Sequence, residues 1–562
     1  MSKLKVKLVS PLEKVFLDRE PFLYADSGDM VALKNETLSF QIAYTAEQGI
    51  NGFGFGLLNV SSTINEKIHV RKVSVIPAVY PAPPNCDDDY LSTTPGLFPD
   101  LLDEITGGNI PLLAGKWTAL WVDVSIDGET PTGTYDIAFT ISEKYSGETL
   151  SSVATAVKVL DAVLPVQKLI HTEWFHADCL ADYYGVEVFG EEHWRITGNF
   201  VEEYAKHGIN MILTPLFTPP LDTGEGHERT TVQLVDVAVR NGKYFFGFDK
   251  LERWVRLCRQ KGIEYFEMSH LYSQWGAKYA PKIMATVDGT TKRIFGWDTP
   301  AVSQEYGKFL RAFLPRLTAK LREMGITERT YFHISDEPSL SQLDGYRSAK
   351  AQVADFLKGF HIIDALSDFD FYKTGAVPKP IPSTSHVKQF IEAGIEGLWT
   401  YYCGGGGRGV SSRLMAMPSS RNRILAVQLY KYGIEGFLHW GFNFYNSVHS
   451  IRQINPFYET GNGYGFASGD AYLVYPGKGG RPLGSIRLSV LFHAMQDLRA
   501  YGLLESLAGK KRVMELIEGG LSEPIGFAEY PRNPEYLIGL RRKLYTEIAV
   551  NSQPERDHIN NR

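Results

Sequence analysis

The 562-residue sequence has few of the features that mark disulfide-rich, nucleic-acid-binding or membrane proteins. Its four cysteines are widely spaced without a CxxC pair, which argues against a disulfide framework and a zinc ribbon, so we expect reduced thiols. Acidic and basic residues nearly balance at a net charge of -6, and no basic run is long enough to neutralise a phosphate backbone. We therefore expect neither nucleic acid nor a membrane as a partner.

The sequence also lacks targeting segments and several common catalytic motifs. Its first residues, MSKLKVKLVSPLEKVF, interleave lysines with single apolar residues, and no later segment has transmembrane length, so we expect a cytoplasmic protein. There is no P-loop, no GxGxxG after a strand, no HExxH and no GxSxG elbow. Phosphate-binding, zinc-protease and serine-hydrolase functions are therefore not indicated.

The chain is long enough for more than one packed unit. Up to about residue 160, short alternating segments are separated by turn residues, and Val122, Val124 and Ile126 share one face of such a segment. A proline-containing stretch at 161–168 then ends the alternation. We predict an N-terminal β-sandwich domain over residues 1–165.

Beyond that boundary, apolar strands alternate with helical segments, and eight such units are typical of a (β/α)8 TIM barrel. Ser339 and Gln342 form a predicted capping box after the fourth strand. The predicted α/β catalytic barrel with its C-terminal loop and helix covers 166–505, and a helical or irregular tail packed on the barrel covers 506–562. The predicted strands begin near residues 169, 209, 263, 329, 360, 378, 394 and 433.

Two consecutive acids, Asp336 and Glu337, end the fourth predicted strand in the segment YFHISDEP. Catalytic groups of barrels stand at the C-terminal ends of strands. Adjacent acids repel each other, which raises the pKa of one and leaves the other ionised. A solvated helix start is the structural alternative for such a tripeptide, but its place at a barrel strand favours catalysis.

The adjacency of the two acids also restricts the mechanism. Two-carboxylate glycosidases hold their acids about 5 to 9.5 Å apart on opposite sides of the sugar, which sequence neighbours cannot easily do. Neighbours suit substrate-assisted catalysis, in which the sugar's own 2-acetamido oxygen attacks the anomeric carbon. Asp336 would then hold the acetamido N–H, and Glu337 would protonate the leaving oxygen.

The chain resembles glycoside hydrolase family 123, the β-N-acetylgalactosaminidases, and the wider family that shares their catalytic domain. The resemblance lies in HISDEP at 333–338, EWFHADCLADYYG from Glu173, and SGDAYLVYPG with PLGSIRLSVL between Ser468 and Leu491. It implies a retaining, substrate-assisted hydrolase of β-linked N-acetylgalactosamine, with Asp336 as acetamido stabiliser and Glu337 as general acid/base. We expect a glycan or glycoconjugate substrate and neither a metal nor an organic cofactor.

Aromatic rings bind the apolar faces of sugars, so aromatic and polar residues near strand ends predict substrate subsites. The Tyr401 hydroxyl is expected to bond the acetamido oxygen. Packing inside the protein is the alternative for about half of the aromatic residues, loop capping for Asn443 and Asp470, and partial burial for the histidine. The predicted substrate-binding residues are Trp174, His176, Trp275, Trp399, Tyr401, Trp440, Asn443 and Asp470.

Three other functions stay open. The first is a β-glycosidase of another specificity on the same barrel. The second is a metal-dependent barrel hydrolase, because histidines recur near the strands, although the HxH pair of many such barrels is missing from the first strand. The third is a non-catalytic glycan-binding protein, which would not need both carboxylates. The recurring histidines are His171, His176, His270, His333, His386 and His439.

Overall fold

The N-terminal sheet region, residues 4–163, is built from strands. The computed structural model describes residues 4–46, 54–404 and 407–552. The strands of this region are β1 (Leu4–Val9), β2 (Val31–Lys34), β3 (Glu36–Ala46), β4 (Phe55–Ser62), β5 (Ile68–Ala78), β6 (Gly96–Glu104), β7 (Asn109–Pro111), β8 (Thr118–Ile126), β9 (Gly133–Glu143) and β10 (Thr149–Val163).

These strands form two sheets that share one apolar cluster. The strand orders are β1-β3-β8-β5-β6 and β2-β10-β9-β4-β7. Phe40 of the first sheet packs edge to face on Phe139 of the second, with ring centroids 6.0 Å apart. Val122, Val124 and Ile126 are buried in the same cluster, which confirms the alternation predicted for this segment. Alternate residues of β8 therefore bind one sheet to the other.

The parallel-sheet region, residues 170–552, alternates strands with helices. Its strands are β11 (Ile170–Glu173), β12 (Met211–Thr214), β13 (Asp236–Arg240), β14 (Lys243–Gly247), β15 (Tyr265–Met268), β16 (Ile283–Val287), β17 (Thr290–Phe295), β18 (Thr330–Phe332), β19 (His361–Ile362), β20 (Asp364–Ala365), β21 (Pro380–Ile381), β22 (Trp399–Tyr401), β23 (Gly436–His439), β24 (Tyr475–Pro476) and β25 (Pro482–Leu483).

The helices lie in this same region. Within the described ranges, none of them combines the length and the apolarity needed to cross a bilayer. They are α1 (Ala177–Tyr184), α2 (Glu191–Lys206), α3 (Asp249–Gln260), α4 (Gln274–Ala277), α5 (Gln304–Glu323), α6 (Leu343–Val353), α7 (Phe369–Lys373), α8 (Val387–Glu392), α9 (Ser419–Arg423), α10 (Leu425–Tyr432), α11 (Ile486–Glu518) and α12 (Glu535–Asn551).

A seven-stranded parallel half-barrel forms the centre of this region, in the order β19-β18-β15-β12-β11-β23-β22. Strand β20 follows β19 after one residue and pairs in parallel with β21. Just beyond β21, Ser383 forms an isolated parallel bridge to Tyr401 of β22. Strands are found in all eight segments for which the sequence predicts them. Their carboxyl ends carry the candidate site.

Two connections on the carboxyl side of the sheet are long. The chain between β12 and α3 contains the hairpin β13–β14, and the chain between β15 and α5 contains the hairpin β16–β17. The two hairpins join through β13 and β16 into one four-stranded sheet, β14-β13-β16-β17. The insertions after the second and third parallel strands therefore fold as one unit.

Buried polar contacts join the two regions. Arg487 of α11 lies 2.9 Å from Asp100 of β6, and both side chains are almost fully buried. Leu101 and Ser485 form an isolated bridge between the same two elements. Trp121 of β8 belongs to the apolar cluster that fills the parallel-sheet region. The two regions therefore share one core.

The last two helices pack on both regions. Helix α11 runs through residues 505 and 506 and bends at Gly509, where φ is 82°. Helix α12 packs on α11 and pairs with the N-terminal sheet region through Arg541 and Glu36, 2.7 Å apart. The boundary predicted between 505 and 506 thus lies inside a helix, and the tail contacts the sheets as well as its own region.

Candidate active site

The segment that carries Asp336 and Glu337 follows β18 at the carboxyl end of the parallel sheet. The buried carboxylate of Asp364, on the neighbouring strand, accepts hydrogen bonds from the backbone N–H groups of Ile334, at 2.9 Å, and Ser335, at 3.2 Å. These bonds satisfy two backbone donors where the strand ends. They hold the turn in which the two acids stand.

The two acids have different partners. Asp336 is buried, and its Oδ2 accepts a hydrogen bond from the amide of Gln274 at 2.9 Å. Glu337 is exposed, and its Oε1 accepts a hydrogen bond from the hydroxyl of Tyr401. Glu337 has a φ of 44°, in the left-handed region that favours glycine. The two neighbouring side chains therefore contact different residues, Gln274 for Asp336 and Tyr401 for Glu337.

The electrostatic environment separates the two acids further. Burial and the neighbouring charge of Glu337 raise the pKa of Asp336 to about 7. Although burial opposes its charge, His333 is hydrogen-bonded to Glu267 and lies 3.6 Å from Asp364, and these carboxylates raise its pKa to about 10. In its charged form His333 favours ionisation of Asp336.

A loop with unusual backbone geometry forms one wall. Trp275, Gly276 and Ala277 have φ values of 56°, 105° and 54°. The hydroxyl of Ser335 accepts hydrogen bonds from the N–H groups of Gly276, at 3.3 Å, and Ala277, at 3.1 Å. The N–H of Trp275 donates to the carbonyl of Asp336 at 2.9 Å. The Trp275 side chain is 43% exposed, so its ring is available beside the acids.

The capping box predicted at Ser339 and Gln342 is confirmed. The N–H of Ser339 donates to the Gln342 side chain at 2.9 Å, and the amide of Gln342 donates to the carbonyl of Trp275 at 2.6 Å. A Cβ at Gly276 would lie 2.6 Å from this glutamine. The capping residue thus also holds the tryptophan loop, and Gly276 is required for its close approach.

A pocket opens on the other side of Glu337. Much of its wall consists of hydroxyl groups, with Tyr401 at the end nearest Glu337 and His386 at the rim. Burial raises the pKa of Tyr401, so its hydroxyl stays protonated and can donate. The residues of this wall that matter below are Ser367, Ser383, Ser385, His386 and Tyr401.

Asp470 and Trp440 form a third part of the site. Asp470 accepts hydrogen bonds from the indole N–H of Trp440 at 3.0 Å and from the backbone N–H of Gly404 at 2.7 Å. Although burial opposes ionisation, His439, the backbone N–H of Gly404 and the charge of Arg413 lower the pKa of Asp470. Trp440 is half-buried. Asp470 thus orients the indole ring from below.

Two predicted sugar platforms lie in the interior. Trp174 is 3% exposed and donates its indole N–H to Glu267 at 2.7 Å. Trp399 is fully buried at the start of β22, with the ammonium of Lys379 5.2 Å from its ring centroid. Both rings are packed inside the protein and do not lie at the surface of the candidate site.

His176 and Asn443 bind each other. The Asn443 side chain accepts from the backbone N–H of His176 at 2.9 Å and donates to its carbonyl at 3.0 Å. The ring of His176 bonds the carbonyl of Trp440 at 2.9 Å and receives Arg229 at 3.0 Å. Burial, together with the charge of Arg229, lowers the pKa of His176 to about 3. The polar groups of both residues are therefore used within the protein.

The sequence analysis missed Gln274 and assigned no role to Asp364, which lies at a predicted strand end. A carboxylate within the apolar segment FHIIDAL is a detectable signal for Asp364, because an acid in a buried strand needs donors. Gln274 gives no such signal. It reaches Asp336 only because the loop around Trp275 takes left-handed backbone angles.

The alternative of a metal-dependent hydrolase needs converging ligands. In the part of the chain that the structure describes, no group of three or more His, Cys, Asp or Glu side chains is arranged to hold a metal ion. Two of the recurring histidines lie against glutamates instead. His171 is 3.1 Å from Glu173, and His333 is 2.5 Å from Glu267.

A family model and a solved structure are similar to most of the chain. A model described as the catalytic domain of glycoside hydrolase 123 matches residues 174–504, more than half of the chain. A family 123 glycoside hydrolase from Clostridium perfringens, analysed for glycolipid glycan hydrolysis, is 16% identical, with a TM-score of 0.72 and 98% of both chains covered. This likeness shows a shared fold over nearly the whole length.

More distant structural matches are also found. A β-glucuronidase from Bacteroides uniformis is 10% identical, with a TM-score of 0.30 over 84% of this chain and 48% of its own. A putative β-galactosidase from Bacteroides fragilis is 10% identical, with a TM-score of 0.29 over 83% of this chain and 58% of its own. No curated protein sequence matches the chain significantly.

Proposed function

The chain belongs to glycoside hydrolase family 123, and from this membership we propose that it releases β-linked N-acetylgalactosamine by a retaining, substrate-assisted mechanism. The observation that carries the proposal is the different placement of two consecutive acids. Asp336 is buried beside Gln274, and Glu337 is exposed at the edge of a pocket. We propose that Asp336 holds a polar group of the bound sugar and that Glu337 exchanges protons.

In the proposed first step, the acetamido oxygen of the sugar attacks the anomeric carbon and the glycosidic bond breaks. Glu337 gives its proton to the leaving oxygen, while ionised Asp336 accepts the acetamido N–H and stabilises the positive charge that develops. In the second step, water attacks the same carbon, the bond from that carbon to the acetamido oxygen breaks so that the acetamido group is restored, and Glu337 takes the proton of the water. Two inversions at one carbon retain the β configuration.

We propose that Trp275 and Trp440 form the walls of the sugar site, since both rings have exposed surface. Tyr401 touches Glu337 and is placed to contact either the acid or the acetamido group. We propose that the other predicted binding residues support these from within the protein, because all of them are buried. They are Trp174, His176, Trp399, Asn443 and Asp470.

We further propose that the half-barrel closes into a complete (β/α)8 barrel, preceded by a β-sandwich over 1–165. The pairing of β20 with β21 and the bridge between Ser383 and Tyr401 support closure, because they link the fifth, sixth and seventh strands. The catalytic unit would then extend from 166 to 505, with the described part of the tail, 506–552, packed on it; the rest of the predicted tail, 553–562, lies outside the described residues.

A glycan or glycoconjugate is the proposed substrate, since the Clostridium perfringens structure was analysed for glycolipid glycan hydrolysis. The test compares chromogenic β-galactosides that carry a 2-acetamido group with matched β-galactosides that carry a 2-hydroxyl group. We expect turnover only of the acetamido series, because the 2-hydroxyl group cannot act as the internal nucleophile. Equal turnover of both series would rule out substrate assistance and favour a β-glycosidase of another specificity.

A further inference from the structure

A chain of polar contacts runs from Glu337 to an exposed histidine. Tyr401 bonds Glu337, and the hydroxyl of Ser367 lies 3.4 Å from the Tyr401 hydroxyl. Ser367 donates to the hydroxyl of Ser383 at 3.1 Å. Ser383 in turn lies 2.8 Å from Nδ1 of His386, whose side chain is exposed. We call this series the hydroxyl chain.

We propose that neutral His386 is a positioning residue that favours the protonated form of Glu337 through the hydroxyl chain. The inference rests on the proposed role of Glu337 as the general acid. In the Nε2–H tautomer of a neutral imidazole, Nδ1 accepts a hydrogen bond and has no proton to donate. It therefore fixes the direction in which the hydroxyl groups of the chain point.

When Glu337 is protonated, all hydrogen bonds of the hydroxyl chain can point in the same direction, from Glu337 towards His386. Its carboxyl O–H donates to Tyr401, which frees the phenolic proton for Ser367. Ser367 donates to Ser383, as its geometry requires, and Ser383 donates to His386. Each hydroxyl then donates one hydrogen bond and accepts one. Hydrogen bonds in such a series strengthen one another cooperatively.

Ionisation of Glu337 interrupts the series at one contact. Tyr401 then turns its proton to the carboxylate, while the proton of Ser367 stays with Ser383. The 3.4 Å contact between Ser367 and Tyr401 is left without a hydrogen. The protonated acid therefore gains a bond that the ionised acid lacks, and an acceptor at the far end of the chain preserves this difference.

His386 is the terminal acceptor of the hydroxyl chain, and the described groups around the hydroxyl chain offer no other. Ser385 lies 3.0 Å from both Ser383 and Nδ1 of His386, so it offers a second route to the same nitrogen. Asp336 and Cys403 interact with Glu337 at the other end. Tyr402 also lines the pocket, and among its described lining residues only Glu337 is an acid and none is a lysine or arginine.

Helix α8, which follows His386, carries two charged side chains of its own. Lys388 and Glu392 are paired with each other at 4.0 Å. The hydroxyl chain acts on the protonated form of Glu337, so its effect is measured on the basic limb of the pH profile.

The test measures kcat/KM against pH for an alkyl 2-acetamido-2-deoxy-β-galactoside, whose poor leaving group needs the proton of Glu337. His386→Phe should move the basic limb to lower pH by about 0.5 unit, which is roughly a threefold loss on that limb. His386→Asn keeps an acceptor near the position of Nδ1 and should restore the limb. His69→Phe, at an exposed histidine of β5, is the matched control and should leave the profile unchanged.

A double substitution tests the route. Ser367→Ala should shift the basic limb by the same amount as His386→Phe, and the two together should shift it no further, because both interrupt one chain. A loss that is uniform across pH, or shifts that add, would overturn the proposal and leave both residues with a packing role only.

A substrate-independent measurement separates this inference from the proposed function. The infrared band of the protonated Glu337 carboxyl is identified by its loss in Glu337→Gln and titrated in the wild type and in His386→Phe. A midpoint that moves to lower pH in His386→Phe supports the chain even if no acetamido glycoside is cleaved. An unmoved midpoint overturns the chain even if the enzyme is active.

Discussion

The N-terminal sheet region and the parallel-sheet region each bury an aspartate, with opposite consequences. Asp123 of β8 pairs with Arg71 and accepts hydrogen bonds from Ser39 at 2.5 Å and Trp121 at 2.7 Å. Although burial opposes ionisation, Arg71 and these donors lower its pKa. Asp336 has one amide donor and an acidic neighbour, and its pKa is raised. The same side chain favours its ionised form in one place and its neutral form in the other.

The difference teaches that the supply of donors, rather than burial alone, decides what a buried acid does. A carboxylate with enough donors and a cation supports the fold. One with too few favours its neutral form and costs stability, which is how reactive groups are held at active sites. The predictions below test this contrast, beginning with the largest effect.

Glu337→Gln should cause the largest loss. For alkyl acetamido glycosides we expect kcat/KM to fall by about 10³, since general acid catalysis contributes on that order. For 4-nitrophenyl glycosides, whose leaving group needs little protonation, much of the activity should remain. Glu104→Gln, at an exposed acid of β6, serves as the control. Equal losses on both substrates would remove Glu337 from the role of proton donor.

Arg413→Met tests whether a well-paired acid in the parallel-sheet region behaves like Asp123. Arg413 lies 2.6 Å from Glu173, both are fully buried, and the pKa of Glu173 is lowered to about 2 despite burial. Losing the cation should destabilise the protein by about 3 kcal/mol, measured by denaturant unfolding. Adding Glu173→Gln should recover part of that loss. An unchanged stability in Arg413→Met would show that pairing does not matter here.

Asp336→Asn and Asp123→Asn should change thermal stability with opposite signs. The pKa of Asp336 is raised, so the folded state binds its proton more tightly than the unfolded state does. The contribution of this proton to the free energy of unfolding is lost as pH rises from about 4 to about 7. Asp336→Asn should therefore be more stable than the wild type at pH 8, by on the order of 2 kcal/mol, and converge with it near pH 4.

For Asp123, the pKa is lowered, so its contribution is present above the ordinary value and is lost as pH falls through the folded value. Asp123→Asn should be less stable than the wild type at pH 8, with Arg71 left buried beside an amide. Melting temperatures of both variants across pH check the two signs together. Shifts of the same sign would refute the contrast.

The smallest effect concerns backbone strain. Asn35, between β2 and β3, has a φ of 61°, comparable to the 44° of Glu337. Asn35→Gly should raise the unfolding free energy by about 0.5 kcal/mol and leave activity unchanged. Glu337→Gly should relieve similar strain but abolish activity on alkyl glycosides. If Asn35→Gly also lowered activity, the N-terminal turn would be coupled to the site.

The sequence predicts the acids of the site better than their surroundings. Asp336 and Glu337 were identifiable because a strand ends in two acids followed by proline. Trp399 and Tyr401 show why the aromatic residues were harder to assign. They lie two residues apart on one strand, about 7 Å along it, and that rise separates a packed ring from one that contacts the acid. The residue types at strand ends do not indicate how deeply each side chain is buried.

Side chains supplied by irregular loops could not be predicted at all. Gln274 reaches Asp336 through three consecutive left-handed residues, a conformation without a periodic signal. Asp364 and Ser367 act on a neighbouring strand, so their partners depend on strand order and register rather than on spacing along the chain. The regular elements are predictable because their pattern repeats, and the connections that complete the site do not repeat.

The buried pair of Arg487 and Asp100 has a consequence for how such a chain can evolve. Exchanging the N-terminal sheets for those of a distant relative that lacks Asp100 would leave the guanidinium of Arg487 buried without a partner. Asp100 lies more than 380 positions earlier in the chain. Recombination near residue 165 would therefore be selected against. We expect the two regions to be inherited together, with substitutions at these two positions correlated among descendants.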